Sequence, residues 1–237
     1  MDLNVTIIKI QAWFRGTSFR LKRLPLIMYK IQNYLKLQAF QFSSQNEDGR
    51  INSCLDEVEV IKILYEKFGA RIKIPEKRRH WYDILAYDYM YGWIPINIKT
   101  TTTLTNDNTG NLAMCVYAYT NEVLDIHSNK SYDNGKMSNI LVNKLKNKEY
   151  NFISKKDYYF IVLNKTDSSI IIVNSIKGLT LLTPNINNLP FQVCWNNNRI
   201  YKYENIVKKI TQFIDCLQKP KPSWKETFMS NIRTLKL

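Results

Sequence analysis

Hydrophobic positions recur at helical spacing in two early stretches. Leu26, Ile27, Ile31, Tyr34, Leu35 and Phe40 follow Pro25, a residue suited to a first helical turn, and the spacing predicts a helix over 26–40. A polar, turn-like segment at 41–49 separates it from a second helix over 52–68. There Cys54, Val58, Ile61, Tyr65 and Phe68 form the expected core stripe and Gly69 supplies the stop. The pattern then turns β-like: 71–74, 82–87 and 93–101 are short runs rich in β-branched and aromatic residues, read as three strands. A further helix is expected over 107–120, capped by Asn106 or Asp107, and the polar stretch 128–148 reads as a long loop with a helical turn. Runs at 158–164 and 170–174 predict a strand pair, 191–195 another strand, and 203–217 and 224–235 two closing helices. That order predicts a mixed α/β fold, a central sheet flanked by helices.

Composition sets the class. The chain has 237 residues, 45% of them hydrophobic, with only seven Gly and seven Pro, which excludes a collagen-like or disordered polymer and suits one domain. Within it, 1–45 reads as a helical N-terminal part and 184–237 as a C-terminal part ending in helices. No apolar run approaches the roughly 18 residues that span a bilayer, and the N-terminus lacks the basic region of a secretory signal, so no membrane and a cytoplasmic location are expected. Four scattered cysteines and two histidines leave a zinc cluster almost without ligands; free thiols in a reducing compartment are expected.

Charge adds a contrast. Lys and Arg number 34 against 20 acids, a net +14 that suits a polyanionic partner. Residues 1–40 hold seven basic residues against Asp2 alone, whereas 47–66 carry six acids against Arg50 and Lys62. An acidic island in a basic chain is one mark of a metal ion.

The strands carry the candidate chemistry. A hairpin of 82–87 and 93–101 brings Asp83 beside Asn97 and Lys99, which share a face because strand side chains alternate. A carboxylate, an amide oxygen and a lysine then converge, as phosphodiester hydrolysis needs: a hard cation such as Mg²⁺ takes oxygen ligands, and a lysine holds the attacking water and offsets transition-state charge. The preceding helix offers Glu57, which borders the apolar stripe, while Asp56 and Glu59 are expected to point away.

Glu57, Asp83 and Asn97-x-Lys99, placed helix–strand–strand, resemble the PD-(D/E)xK nuclease core, in particular that of type II restriction endonucleases. Tyr82 stands where the signature has proline, and Asn97 replaces an acid. Some restriction endonucleases have a similar Pro-x-Asn-Ile-Lys run, matched here by Pro95-Ile96-Asn97-Ile98-Lys99. The resemblance implies a restriction-endonuclease-like sheet, catalysis by Asp83, Asn97, Lys99 and Glu57, and Mg²⁺ held by Asp83, Asn97, Ile98 and Glu57. It also implies a homodimer on double-stranded DNA, 5′-phosphate ends and a cognate DNA methyltransferase in the same restriction-modification system. A repair or junction-resolving nuclease with this core, or a basic DNA-binding protein whose site has decayed, are the other readings.

Two polar segments are candidates for holding DNA. Thr100, Thr101, Asn106 and Asn108 follow the lysine and suit phosphate contacts. Asn187, Asn188, Gln192, Asn196, Asn197 and Arg199 carry the groups that read adenine and guanine in the major groove. Arg15, Arg20, Lys22, Arg23, Lys144, Lys146 and Lys148 are further phosphate partners.

Overall fold

Alternating apolar side chains at Ile94, Ile96 and Ile98 build the longest strand of this computed structural model, which describes residues 23–43, 49–77, 80–128, 130–153, 155–185 and 190–219. In chain order the strands are β1 (Ile72–Lys73), β2 (Ile84–Asp88), β3 (Gly92–Thr101), β4 (Asn106–Asn108), β5 (Tyr159–Asn164), β6 (Ile171–Ser175) and β7 (Gln192–Cys194). The helices are α1 (Leu26–Lys36), α2 (Gly49–Phe68), α3 (Leu112–Tyr119), α4 (Asn134–Lys146) and α5 (Ile206–Gln218).

Five strands form one mixed sheet in the order β1-β2-β3-β5-β6; β3 and β5 run parallel and the other neighbours antiparallel. A parallel pair needs a long crossover, and α3 and α4 supply it. At the β2–β3 turn the Asp88 carboxylate accepts the Met90 and Tyr91 N–H groups and reaches Ile27 N at the start of α1, while Gly92 adopts φ +73°. Glycine takes that conformation without a Cβ clash.

Each sheet face carries a core. Ile84, Ile94, Ile96, Ile98, Ile161 and Leu163 pack under α1 and α2; Leu85, Phe160, Val162 and Ile172 face α3, α4 and α5. β5 and β6 are buried on both faces, which explains their uninterrupted apolar sequences. Among the described residues no helix is long and apolar enough to cross a membrane. The mixed α/β expectation and the three early strands therefore stand.

Three local readings change. Over 107–120, Asn106–Asn108 is a strand paired with β7 and the helix starts at Leu112, capped by Asn111, whose side chain accepts Met114 N. The stretch 128–148 holds a full helix, α4, capped by Asp133. The largest change is in α2: Cys54, Val58 and Tyr65 are exposed, whereas Asn52, Asp56, Val60 and Leu64 are buried. The helix is turned by about 140°, between one and two residues' rotation, from the expected face. Apolar residues surround α2, so its sequence pattern does not define one side. The predicted helix over 224–235 lies outside the described residues, as do Arg15, Arg20, Lys22, Asn187 and Asn188.

Candidate active site

Antiparallel register places the candidate groups. Ile84 pairs with Ile96, and the preceding Asp83 N donates to Ile96 O at 2.9 Å, so Asp83 stands opposite Asn97. Its Oδ2 accepts from Asn97 Nδ2 and from Ile98 N, each at 2.7 Å. Ile98 thus contributes its amide, while its side chain is buried in the opposite core. Lys99 follows one alternation after Asn97, half-buried on the same face.

The α2 helix reaches this place through polar contacts. Asp56, expected to point to solvent, is buried: its Oδ2 lies 2.8 Å from Lys165 Nζ and its Oδ1 accepts Ser43 N at 2.7 Å. Burial pushes the Asp56 carboxyl up, but Lys165 and the Ser43 bonds outweigh this and hold it below its ordinary range. One turn earlier, Ser53 Oγ donates to Thr100 O and Thr100 Oγ1 donates to Ser53 O. Next to Asp56, Glu57 is half-buried and takes a backbone hydrogen bond from Thr100, within electrostatic reach of Lys99 and Asp83. Glu59 is exposed, as expected.

These carboxyls are costly as anions. Burial raises Glu57 to about 7 against the pull of Lys99, with Asp83 and Asp107 adding to the rise. Burial also raises Asp83 to about 6, against the Ile98 N–H and Lys99. Lys99 is shifted the other way from what burial alone would do: Asp107, Glu57 and Asp83 raise it overall.

Asp107 is the residue that the sequence reading missed. Treated there as a helix cap, it lies on β4, accepts Trp195 Nε1 at 3.2 Å and acts electrostatically on both Lys99 and Glu57. Only the pairing of β4 with β7, remote in sequence, brings it here. Among the described residues three acids, Glu57, Asp83 and Asp107, act on the Lys99 ammonium, with Glu57 only partly ionised near pH 7.

Asn97 Oδ1 is buried with no protein partner beside the Asp83 carboxylate, a neutral oxygen of the kind a hard ion takes. Among the described residues no group of three or more His, Cys, Asp or Glu is placed to hold a metal. The donors on offer are therefore Asp83, Asn97 Oδ1 and Glu57, a sparse set of the sort Mg²⁺ completes with water. No protein-family model, curated protein or solved structure matches this chain.

The polar segments meet beside this site. β4 pairs with β7, and Asn196 N donates to Thr103 O just past the end of β3, so the segments around 100–108 and 192–199 form one surface. Within it Asn196, Asn197 and Arg199 are exposed on and after the short turn Trp195–Asn198. Asn106 and Asn108 are exposed too, but Asn108 Oδ1 accepts from Asn185 Nδ2 and Gln192 Nε2, which orders both amides within the protein. Thr101 is half-buried. Thr100 is a correction: it is buried on the α2 side and its hydroxyl donates to Ser53 O, so it is not exposed for a phosphate contact.

Proposed function

We propose that the protein is a Mg²⁺-dependent endonuclease acting on double-stranded DNA, of the type II restriction kind with a restriction-endonuclease-like sheet. The observation that carries this reading is the Asp83–Asn97 contact at 2.7 Å with Lys99 on the same face and Glu57 of α2 within electrostatic reach of both Asp83 and Lys99. Bound Mg²⁺ would polarise the phosphoryl oxygen and neutralise charge. Asp83, Asn97 Oδ1 and Glu57 would hold it. Lys99 donates to the attacking water and to the phosphate, where negative charge grows. Lys99 would favour the hydroxide form of the attacking water, whose proton leaves to solvent. The P–O3′ bond breaks as the new P–O bond forms, and the leaving O3′ takes a proton from solvent, giving 5′-phosphate and 3′-hydroxyl ends. The β4–β7 surface with Asn196, Asn197 and Arg199 contacts the duplex beyond the scissile phosphate. A homodimer suits a two-fold symmetric DNA site, and a cognate methyltransferase would protect host DNA in the cytoplasm.

Incubation of the purified chain with phage DNA and Mg²⁺ tests the reading. Discrete fragments are expected; diffuse or structure-dependent cutting indicates a repair nuclease instead, and intact DNA rejects catalysis.

The carboxyls add a pH signature. Glu57 and Asp83 bind protons more tightly folded than unfolded, so their contribution to stability falls as pH rises from about 4 to 7. A divalent cation reverses this only where they are ionised. Mg²⁺ is expected to raise the melting temperature at about pH 8 and to lose most of that effect at about pH 5. Thermal melts at both values decide it; an equal Mg²⁺ effect at the two pH values excludes these carboxylates as the binding groups.

A further inference from the structure

At the far end of the β2–β3 hairpin from Asp83 lies a row of rings and cations that phosphodiester cleavage leaves unused. Arg71 lies over the Tyr89 ring, its guanidinium carbon 5.0 Å from the centroid, and donates to Tyr89 Oη. Tyr89 meets Tyr87 edge-on with centroids 5.9 Å apart, and Tyr87 meets Trp93 at 5.4 Å. Lys73 Nζ is 4.4 Å from the centre of the Trp93 ring, and His127 ends the row 6.1 Å from that ring.

Strand register assembles it. Ile72 pairs with Ala86 and Lys73 with Leu85, while Tyr87 pairs with Trp93, so β1 carries its two cations to the rings of β2 and β3. Trp93, Asn97 and Lys99 share one face of β3 by alternation, which places the row on the face of the candidate site, roughly 13 Å along the strand from Asn97.

The row is open and positive. Tyr89 is 72% exposed, and Lys73 and His127 are exposed as well. Among the described residues neither Arg71 nor Lys73 forms an ion pair; rings hold both cations, and no carboxylate neutralises them. The Asp88 carboxylate is engaged by the Ile27, Met90 and Tyr91 N–H groups and Asp125 by His127 N. In the sequence, 67–79 holds six basic residues against Glu76 alone. Lys73 and His127 also line a cavity of about 220 Å³ with Pro75, Glu76, Tyr82 and Leu85. Tyr82 directly precedes Asp83, so this recess links the row to the candidate site.

Cations that track a phosphate backbone, set beside aromatic faces that stack on unpaired bases, are the combination that holds a single strand. We propose that this face of β1, β2 and β3 binds single-stranded DNA, with Tyr89 stacking on a base and Arg71 and Lys73 on phosphates. The choice of DNA rests on the nuclease reading; affinity for an unpaired strand does not.

Fluorescence anisotropy of a short labelled oligo(dT) with the full chain, without Mg²⁺ and at physiological salt, tests it. Tyr89→Ala, an exposed change, is expected to weaken binding about tenfold, whereas Tyr89→Phe, which keeps the ring, should stay within about twofold of the parent. Arg71→Ala and Lys73→Ala should each weaken binding and flatten its dependence on salt. Absence of binding, or an affinity unchanged in Tyr89→Ala or in Arg71→Ala, overturns the proposal. So does a duplex of the same length that loses as much affinity in Tyr89→Ala as the single strand does, because base stacking would then play no part. Neither Mg²⁺ nor cleavage enters this measurement, so failure here leaves the nuclease reading standing, and inactivity on phage DNA leaves strand binding standing.

Discussion

Lys99→Ala is expected to lower DNA cleavage by about 10²–10⁴-fold, and Asp83→Ala to do the same, with the fold intact in both. Among the described residues Lys99 is the cation that acts on Glu57 and Asp83 and is acted on by Asp107. Without it the attacking water and the developing phosphate charge lose their donor, and the Glu57 carboxyl rises further because its strongest attraction is gone. Asp83→Ala removes the acceptor that Asn97 Nδ2 and Ile98 N share, so the cation donors lose their anchor. Time courses of supercoiled plasmid nicking, with circular dichroism as the control for folding, measure both. Activity within about threefold of the parent in either variant would remove that residue from the site.

The second large effect concerns stability. Lys165→Ala is expected to cost about 3 kcal/mol, because it leaves the buried Asp56 carboxylate with an oxygen unpaired. Urea unfolding provides the measurement. Asp56 is held below its ordinary value of 3.8, so the pair stabilises above that pH and the benefit is lost on acidification. The deficit of Lys165→Ala should therefore shrink as the pH falls below 3.8. Adding Asp56→Leu to Lys165→Ala should recover most of the loss, since the uncompensated charge, more than the lost attraction, is what destabilises. A loss under about 0.5 kcal/mol in the single variant would make the pair an ordinary surface contact.

Much of the site is local and was legible for that reason. Asp83, Asn97 and Lys99 sit on adjacent strands joined by a short turn, so alternation and hairpin geometry alone predict their meeting. The apolar runs of β5 and β6 were equally plain. What escaped depends on contacts between distant segments. The face of α2 is decided by Lys165, more than a hundred residues beyond Asp56, and no helical wheel contains that partner. Asp107 joins the site only because 106–108 pairs with 192–194, and a three-residue strand of Asn-Asp-Asn carries no β signal of its own. Thr100 was assigned to DNA by its position after Lys99, but one step along a strand reverses the face.

The seating of α2 has a mechanical corollary. A helix held by interchangeable aliphatic contacts can slip along or roll about its axis at small cost, yet α2 turns Val58 and Tyr65 outward and inserts Asp56 between Lys165 and the Ser43 amide. The ion pair with Lys165 and the bond from Ser43 N favour this setting over its neighbours, so the helix is keyed like a shaft in a slot. Glu57, the carboxylate proposed to hold the cation, sits on the very next residue. Loosening the key by Lys165→Ala should therefore blunt cleavage as well as lower stability, although Lys165 is no part of the chemistry.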